Sequence, residues 1–289
     1  MMRLLSVHFI IARYHISEAL YQFNKNMNTK IFVLLLTISV CLSANCQIMK
    51  KQIPDKLVVL TFDDATASQY SIVAPLLKQF GFGATFFVCE FPTKSADRSA
   101  YMNWQQIKEL DQMGFEVANH TRTHVGVSKI SKEQLIEELN YIERKCDSLG
   151  IEKPSNFAYP GYDLSLPVME TLHEKRYKFA RAGGNRAYDP LTDYPLLVPS
   201  WAMNATNKEQ IMAAFNEARN GKIVVLTIHG VPDVEHSWVN TPPELFKEYL
   251  QYLADHHFKV ISLRDLKNYI DVDKAIKTIV PDLNKPLKN

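Results

Sequence analysis

The chain is poor in the features that mark several protein classes. Glycine (10 of 289 residues) is scarce, and neither it nor proline (14) recurs with a period, which excludes a collagen-like or low-complexity chain. An excess of one charge is also missing. With 33 basic against 31 acidic side chains there is no basic field for a nucleic acid to follow, and with 46% hydrophobic residues disorder is excluded. Four cysteines in so long a chain do not make a disulfide scaffold. No glycine-rich dinucleotide fingerprint occurs, and the longest uncharged apolar run, the 14 residues 31–44 (IFVLLLTISVCLSA), falls short of the roughly 20 that span a bilayer as a helix.

That run reads as the core of a secretory signal. Lys30 precedes it, and Met27-Asn28-Thr29-Lys30 makes a short positive leader, so Met27 is the expected start. Cleavage after Cys46 satisfies the small-residue rule through Ala44 and Cys46 and leaves Gln47 as the new terminus. The expectation is a signal segment at residues 1–46 and a secreted or periplasmic protein. Acylation of Cys46 as a lipoprotein is the competing reading, which Asn45 fits poorly. Loss of Arg3, Arg13, Lys25, Lys30 and Glu18 with the signal leaves 29 basic and 30 acidic residues and no membrane span. Cys89 and Cys146 remain, and both fit buried thiols better than a disulfide.

The remainder, residues 47–289, is expected to be a single domain. Short apolar runs alternate in it with segments of helical spacing. Residues 57–62 (LVVLTF) form a continuous apolar run suited to a buried parallel strand, followed by helical spacing over 68–80. The couplet recurs with strands at 84–89, 116–119, 155–159, 177–182, 222–228 and 259–262. The intervening helices are expected at 103–113, 131–149, 166–176, 208–220 and 243–257, with further helices from Leu263. Ser131 with Gln134 makes a capping box and Gly150 a stop signal. Residues 183–204 read as irregular. About seven such couplets point to an α/β barrel-like domain, with a doubly wound open sheet as the runner-up.

Four polar clusters stand just after expected strands: Thr61-Phe62-Asp63-Asp64, the stretch from His120 to His124, Tyr159-Pro160-Gly161-Tyr162, and Thr227-Ile228-His229-Gly230. In a parallel barrel all carboxyl ends open on one face, so clusters distant in sequence can meet. Asp64, His120 and His124 would make a two-histidine, one-carboxylate metal set that leaves positions open for water and substrate. Asp63 would be left as a base and His229 as a proton donor. Each cluster has an ordinary alternative. Adjacent acids often cap a turn, neighbours on a strand face opposite ways unless the strand breaks, and a pair four residues apart needs a helical turn to share a side.

The order of these motifs, with Ala-Thr-Phe-Phe-Val at residues 84–88 between the first two, resembles the polysaccharide deacetylase, or NodB-homology, superfamily, also called carbohydrate esterase family four. The resemblance covers residues 56–266. It implies a distorted (β/α) barrel of seven or eight strands. It also implies Asp63 as general base, Asp64, His120 and His124 as ligands of a divalent metal, and His229 as general acid. The metal expected is zinc, with cobalt or nickel as alternatives, and the partner is an acetylated carbohydrate rather than a nucleic acid. The implied reaction is removal of an N- or O-acetyl group by water.

Two departures stand out. Ala158 occupies the place where the family carries an arginine that pairs with the catalytic aspartate, and Arg181, at the end of the next expected strand, is the candidate replacement. The family's fourth motif is not recognisable, since Asp189, Asp193 and Trp201 fall in the right interval without its pattern. Gly161 and Tyr162 stand where a backbone N–H completes an oxyanion hole, and Tyr162 is the candidate. His236 and Trp238, in the segment 230–241, suit either a sugar site or loop packing. Two other readings stay open: a glycosidase, for which Asp63 and Asp64 offer no independent pair of carboxylates across a cleft, and a catalytically weakened carbohydrate-binding protein of the same fold.

Overall fold

The computed structural model describes residues 48–91 and 98–287, so the expected signal segment lies outside the described residues. The apolar run Leu57–Phe62 is buried at every position and forms β1. A strand covered on both faces needs no polar alternation, which is why it reads as one continuous run. In chain order the other strands are β2 (Thr85–Val88), β3 (Glu116–Asn119), β4 (Asn156–Ala158), β5 (Phe179–Arg181), β6 (Trp201–Ala202), β7 (Val224–Ile228) and β8 (Lys259–Ile261). The helices are α1 (Ala74–Phe80), α2 (Trp104–Gln112), α3 (Lys132–Leu149), α4 (Leu166–Glu174), α5 (Lys208–Phe215), α6 (Pro243–Asp255) and α7 (Val272–Thr278).

All strand pairs are parallel, in the order β5-β4-β3-β2-β1-β7-β6, and β8 pairs β1. β1 divides one edge between two neighbours, with β8 against Leu57–Val59 and β2 against Thr61 and Phe62. The ring closes outside the regular strands. Arg181 bridges Val198, the Ala182 N–H donates to the Val198 carbonyl at 2.7 Å, and the chain then runs from Val198 into β6 beside β7. This closure makes the distorted barrel, in place of an open sheet with two free edges. It also corrects the expectation of an irregular 183–204 stretch, because β6 is only two residues long and too short to leave a periodic signal.

The period of two sorts side chains between two cores. Leu57 and Val59 of β1 share one cluster with Phe87, Ala118, Ala158, Phe179 and Val225 of successive strands, which is the barrel interior. Val58, Leu60 and Phe62 point the other way, into a cluster with residues of α1, α2 and α6. Counting onward in steps of two from the interior set reaches Asp63, His120, Arg181 and His229 at the carboxyl ends. The barrel phase alone therefore directs these four inward at one mouth.

Local signals set the helices. Ser131 and Gln134 form the capping box of α3, and Gly150 ends it in the left-handed conformation at φ 72°. The segment expected as one helix over 68–80 is instead a π-turn, Gln69–Val73, leading into α1. Cys89 and Cys146 are free and buried, and burial pushes the Cys146 thiol up to about 12. Among the described residues no helix is long and apolar enough to cross a membrane.

At the opposite end of β3 from the mouth, Glu116 is 2% exposed and accepts hydrogen bonds from Thr85 Oγ1 (2.7 Å), Asn156 Nδ2 (2.6 Å) and the Arg264 N–H (2.8 Å). Burial raises its pKa despite these donors. Glu116→Ala would leave three donors without their acceptor, and urea unfolding is expected to show a loss of about 2 to 4 kcal/mol. A loss under about 1 kcal/mol would mean that the cluster does not pin the strands together.

Candidate active site

The site begins where β1 stops. The Asp63 N–H still donates to the Ile228 carbonyl at 2.9 Å, so Asp63 remains in the ladder to β7. Asp64 and Ala65 then turn left-handed, at φ 71° and 54°. That break turns Asp64 away from the face opposite Asp63, and both neighbours line one cleft. Aspartate is among the few side chains that adopt this backbone readily.

His120 follows β3 and is 1% exposed. Its Nδ1 lies 2.8 Å from the Ala158 carbonyl, which can only accept, so Nδ1 carries the proton and Nε2 keeps a lone pair. Nε2 faces Asp64 Oδ1 at 3.5 Å, and His124 Nε2 faces the same oxygen at 3.4 Å. The two rings meet with centroids 4.8 Å apart. No helical turn brings them together, contrary to the expectation from their spacing. The connection is a loop with Thr121 and His124 at positive φ. Asn119 Oδ1 accepts the Thr121 N–H, and the Glu138 carboxylate accepts the Thr123 N–H and hydroxyl.

The ligand atoms of Asp64, His120 and His124 lie within 4.8 Å of one another. Asp63 Oδ1 and Asp64 Oδ1 are buried without a hydrogen-bond partner. Two imidazole nitrogens and a carboxylate with unsatisfied oxygens fit a divalent cation. Burial works to raise the Asp64 pKa, but the neighbouring His120, His229 and His124 outweigh it and hold the carboxyl well below the usual range. Burial and the neighbouring His120 pull His124 down to about 4, so it is neutral at pH 7. His120 shifts upward, because Asp63 and Asp64 overcome the effect of its burial.

Arg181 is fully buried, and its guanidinium donates to Asp63 Oδ2. It stacks 5.5 Å from the ring centres of Phe87 and Tyr162. Across the mouth, His229 Nε2 is 3.8 Å from Asp64 Oδ2. The cleft holds about 490 Å³, and Tyr162, His236 and Trp238 line it together with the polar set.

The polysaccharide deacetylase family model matches residues 50–180, which contain the aspartate and histidine motifs just described. By this match residues 50–180 form a polysaccharide deacetylase domain. Within the NodB-homology superfamily, the chain is 31% identical over 125 residues to the peptidoglycan-N-acetylglucosamine deacetylase of Bacillus cereus, covering 43% of this chain and 55% of that one. It is 33% identical over 91 residues to the poly-beta-1,6-N-acetyl-D-glucosamine N-deacetylase of Escherichia coli, covering 27% of this chain and 14% of that one. The chain spans about half or less of the length of the curated relatives it matches. Among solved structures, the esterase domain of a multidomain xylanase from the hindgut metagenome of Trinervitermes trinervoides shares the fold. Its TM-score is 0.51 at 20% identity, over 74% of this chain and 91% of that one. So does a family-four pseudoenzyme from Bacillus anthracis, with a TM-score of 0.52 at 18% identity, over 74% and 66%.

The chain departs from the motifs of that family in an ordered way. Ala158 and Arg181 are register partners on the adjacent strands β4 and β5. Side chains in register on parallel neighbours leave the sheet on the same side, so a guanidinium from Arg181 starts one strand spacing, roughly 4.8 Å, from where one at position 158 would. His229 Nδ1 is buried with no hydrogen-bond partner, and among the described residues no carboxylate replaces the missing fourth motif there. Asp193 lies apart from the cleft, paired with Arg186 and Lys285. The Tyr162 N–H donates to the Tyr159 carbonyl at 3.0 Å, so in this conformation it is already engaged.

Two residues of the site carried no signal in the sequence. Gln69, fully buried, donates through its amide to the Asp63 and His229 carbonyls and ties the ends of β1 and β7. Its role depends on the π-turn, which the helical spacing of 68–80 does not distinguish from an ordinary turn. Asp233 lies three residues before His236 and organises the loop after His229.

Proposed function

We propose that this protein is a metal-dependent hydrolase that removes acetyl groups from a carbohydrate, N- or O-acetylated. The observation that carries the reading is the convergence of a carboxylate held by arginine, a three-residue ligand set and an opposed histidine around one cleft. The Bacillus cereus and Escherichia coli relatives, both N-acetylglucosamine deacetylases, agree with it. Asp64, His120 and His124 would hold the cation, zinc before cobalt or nickel. Such an ion supplies Lewis acidity towards water and an acyl carbonyl.

The chain's own residues do the rest. Asp63, fixed by Arg181, takes the proton of the attacking water. His229 passes a proton to the departing amine or alcohol. The turn at Gly161 and Tyr162 faces the same cleft and is where the oxyanion would be met, the Tyr162 N–H first leaving its bond to Tyr159. A secreted or periplasmic enzyme, delivered by the segment 1–46, suits a glycan outside the cytoplasm. The competing reading, a weakened carbohydrate binder, draws on the buried His229 Nδ1 without a carboxylate and on the pseudoenzyme of like fold.

Acetate release from N-acetylated and O-acetylated glycans, with and without chelator, decides between them. Chelator-sensitive release is expected. Sugar binding with no acetate after zinc is restored would overturn the proposal.

Proton competition adds a second expectation. Cation binding needs the His120 Nε2 lone pair, and the His120 pKa lies above 6.5, whereas that of His124 is about 4. As pH falls below 6.5, one proton competes, and zinc affinity is expected to drop about tenfold per pH unit down to the His124 value. Calorimetric zinc titrations at pH 5.5 and 6.5 check the slope. A slope of two protons would mean that both histidines titrate together. His120→Ala is expected to abolish zinc binding.

A further inference from the structure

The loop at 230–241 is built as a fixed platform. Asp233 is 4% exposed; its Oδ2 accepts the Gly230 N–H at 3.1 Å, and its Oδ1 accepts the N–H groups of His236 (2.8 Å) and Glu235 (3.2 Å). The Asp233 N–H donates to Asn240 Oδ1 at 2.8 Å, the Thr241 N–H to the Gly230 carbonyl at 3.2 Å, and the Val231 N–H to Ser68 Oγ at 2.9 Å. His236 Nδ1 is buried 3.3 Å from Asp233 Oδ1 without a hydrogen-bond partner, so Nε2 is the ring's outer nitrogen.

On this platform stands Trp238, which lines the cleft yet is 71% exposed. Among the described residues it is the one aromatic in the set of exposed large hydrophobics. Packing of the loop therefore does not explain the indole. Its ring meets His236 edge-on at 5.3 Å. Phe91 separates this pair from the ligand set, 5.2 Å from His124 on one side and 6.5 Å from His236 on the other. The pair thus stands beside the reacting acetyl group and not over it.

Charge selects the occupant. The cleft is lined by the carboxylates of Asp63 and Asp64, no Lys or Arg lines it among the described residues, and Arg181 is engaged with Asp63. Glu235 adds an acid to the loop. Among the described residues around Trp238, a carboxylated, sulfated or phosphorylated sugar would meet acids and no Lys or Arg.

We propose that Trp238 and His236 form a binding subsite for an uncharged pyranose unit next to the acetylated one. The indole face covers the sugar's C–H face and His236 Nε2 bonds a hydroxyl. The proposal rests on the deacetylase reading for the position of the acetyl group. An exposed rigid aromatic suits this contact because it orders few bonds on binding.

Two measurements test it. The first compares kcat/KM for a neutral acetylated pentamer, chitopentaose or acetylated xylopentaose, with that for p-nitrophenyl acetate. Trp238→Ala is expected to lower this ratio about five- to tenfold, with Trp238→Phe keeping most of it. An unchanged ratio with acetate release intact would overturn the subsite and leave the deacetylase reading standing. The second follows tryptophan emission of chelator-treated protein during titration with chitopentaose, xylopentaose and oligogalacturonate. Saturable changes with the neutral pentamers, lost in Trp238→Phe, support the subsite even if no substrate releases acetate, in which case the deacetylase reading alone fails. Equal responses to oligogalacturonate, or none to either neutral pentamer, would overturn it.

Discussion

Asp63→Asn is expected to lower kcat for acetate release by about a hundred- to ten-thousandfold, the range general-base catalysis supplies, while zinc stays bound. The amide keeps the shape of the carboxylate and removes its basicity. The proposed ligand set is Asp64, His120 and His124, so the substitution does not remove a donor from it. Rate and metal content should therefore separate. Single-turnover acetate release and zinc analysis of the same preparation would show it. Turnover within about tenfold of the parent would assign the proton transfer elsewhere, and loss of zinc with the rate would make Asp63 part of the cation site.

Arg181→Ala carries the second large effect. It strands the Asp63 carboxylate in a buried position, and breaking a buried ion pair from one side costs about 3 to 5 kcal/mol. It also frees the base to rotate, and a misplaced catalytic group loses about a hundredfold in rate. Thermal unfolding and the pH profile of kcat read the two effects separately. The double variant Ala158→Arg with Arg181→Ala supplies a guanidinium from the register partner and is expected to recover part of the lost turnover. Normal turnover with an unchanged pH profile in Arg181→Ala would remove Arg181 from the mechanism. A stability loss with no change in turnover per folded molecule would leave it a purely structural cation.

Much of the frame was legible because it is local. The buried run Leu57–Phe62, the third strand Glu116–Asn119 and the capped helix Lys132–Leu149 stand where the hydrophobic period and capping residues put them. What escaped the sequence depends on tertiary pairing. The two-residue strand Trp201–Ala202 exists because it lies against β7, and the bridge from Arg181 to Val198 closes the ring through residues with no strand pattern of their own. The cleft divides in the same way. Asp63, Asp64, His120, His124 and His229 are marked by motif order, and the structure brings them to one mouth. The loop that joins His120 to His124 escaped the sequence, because a spacing of four says nothing about φ at Thr121 and His124. Asp233 and Gln69 act through backbone groups of other residues, and such contacts leave no periodic trace.

The register of Ala158 with Arg181 bears on how such chains are read in genomes. A pattern search keyed to an arginine on β4 would file this sequence among the defective copies. Yet a parallel barrel gives each point at its mouth two chain addresses, one on each flanking strand. A functional group can change its address while keeping its place, and lineages that did so would be undercounted by any search that reads the chain one line at a time.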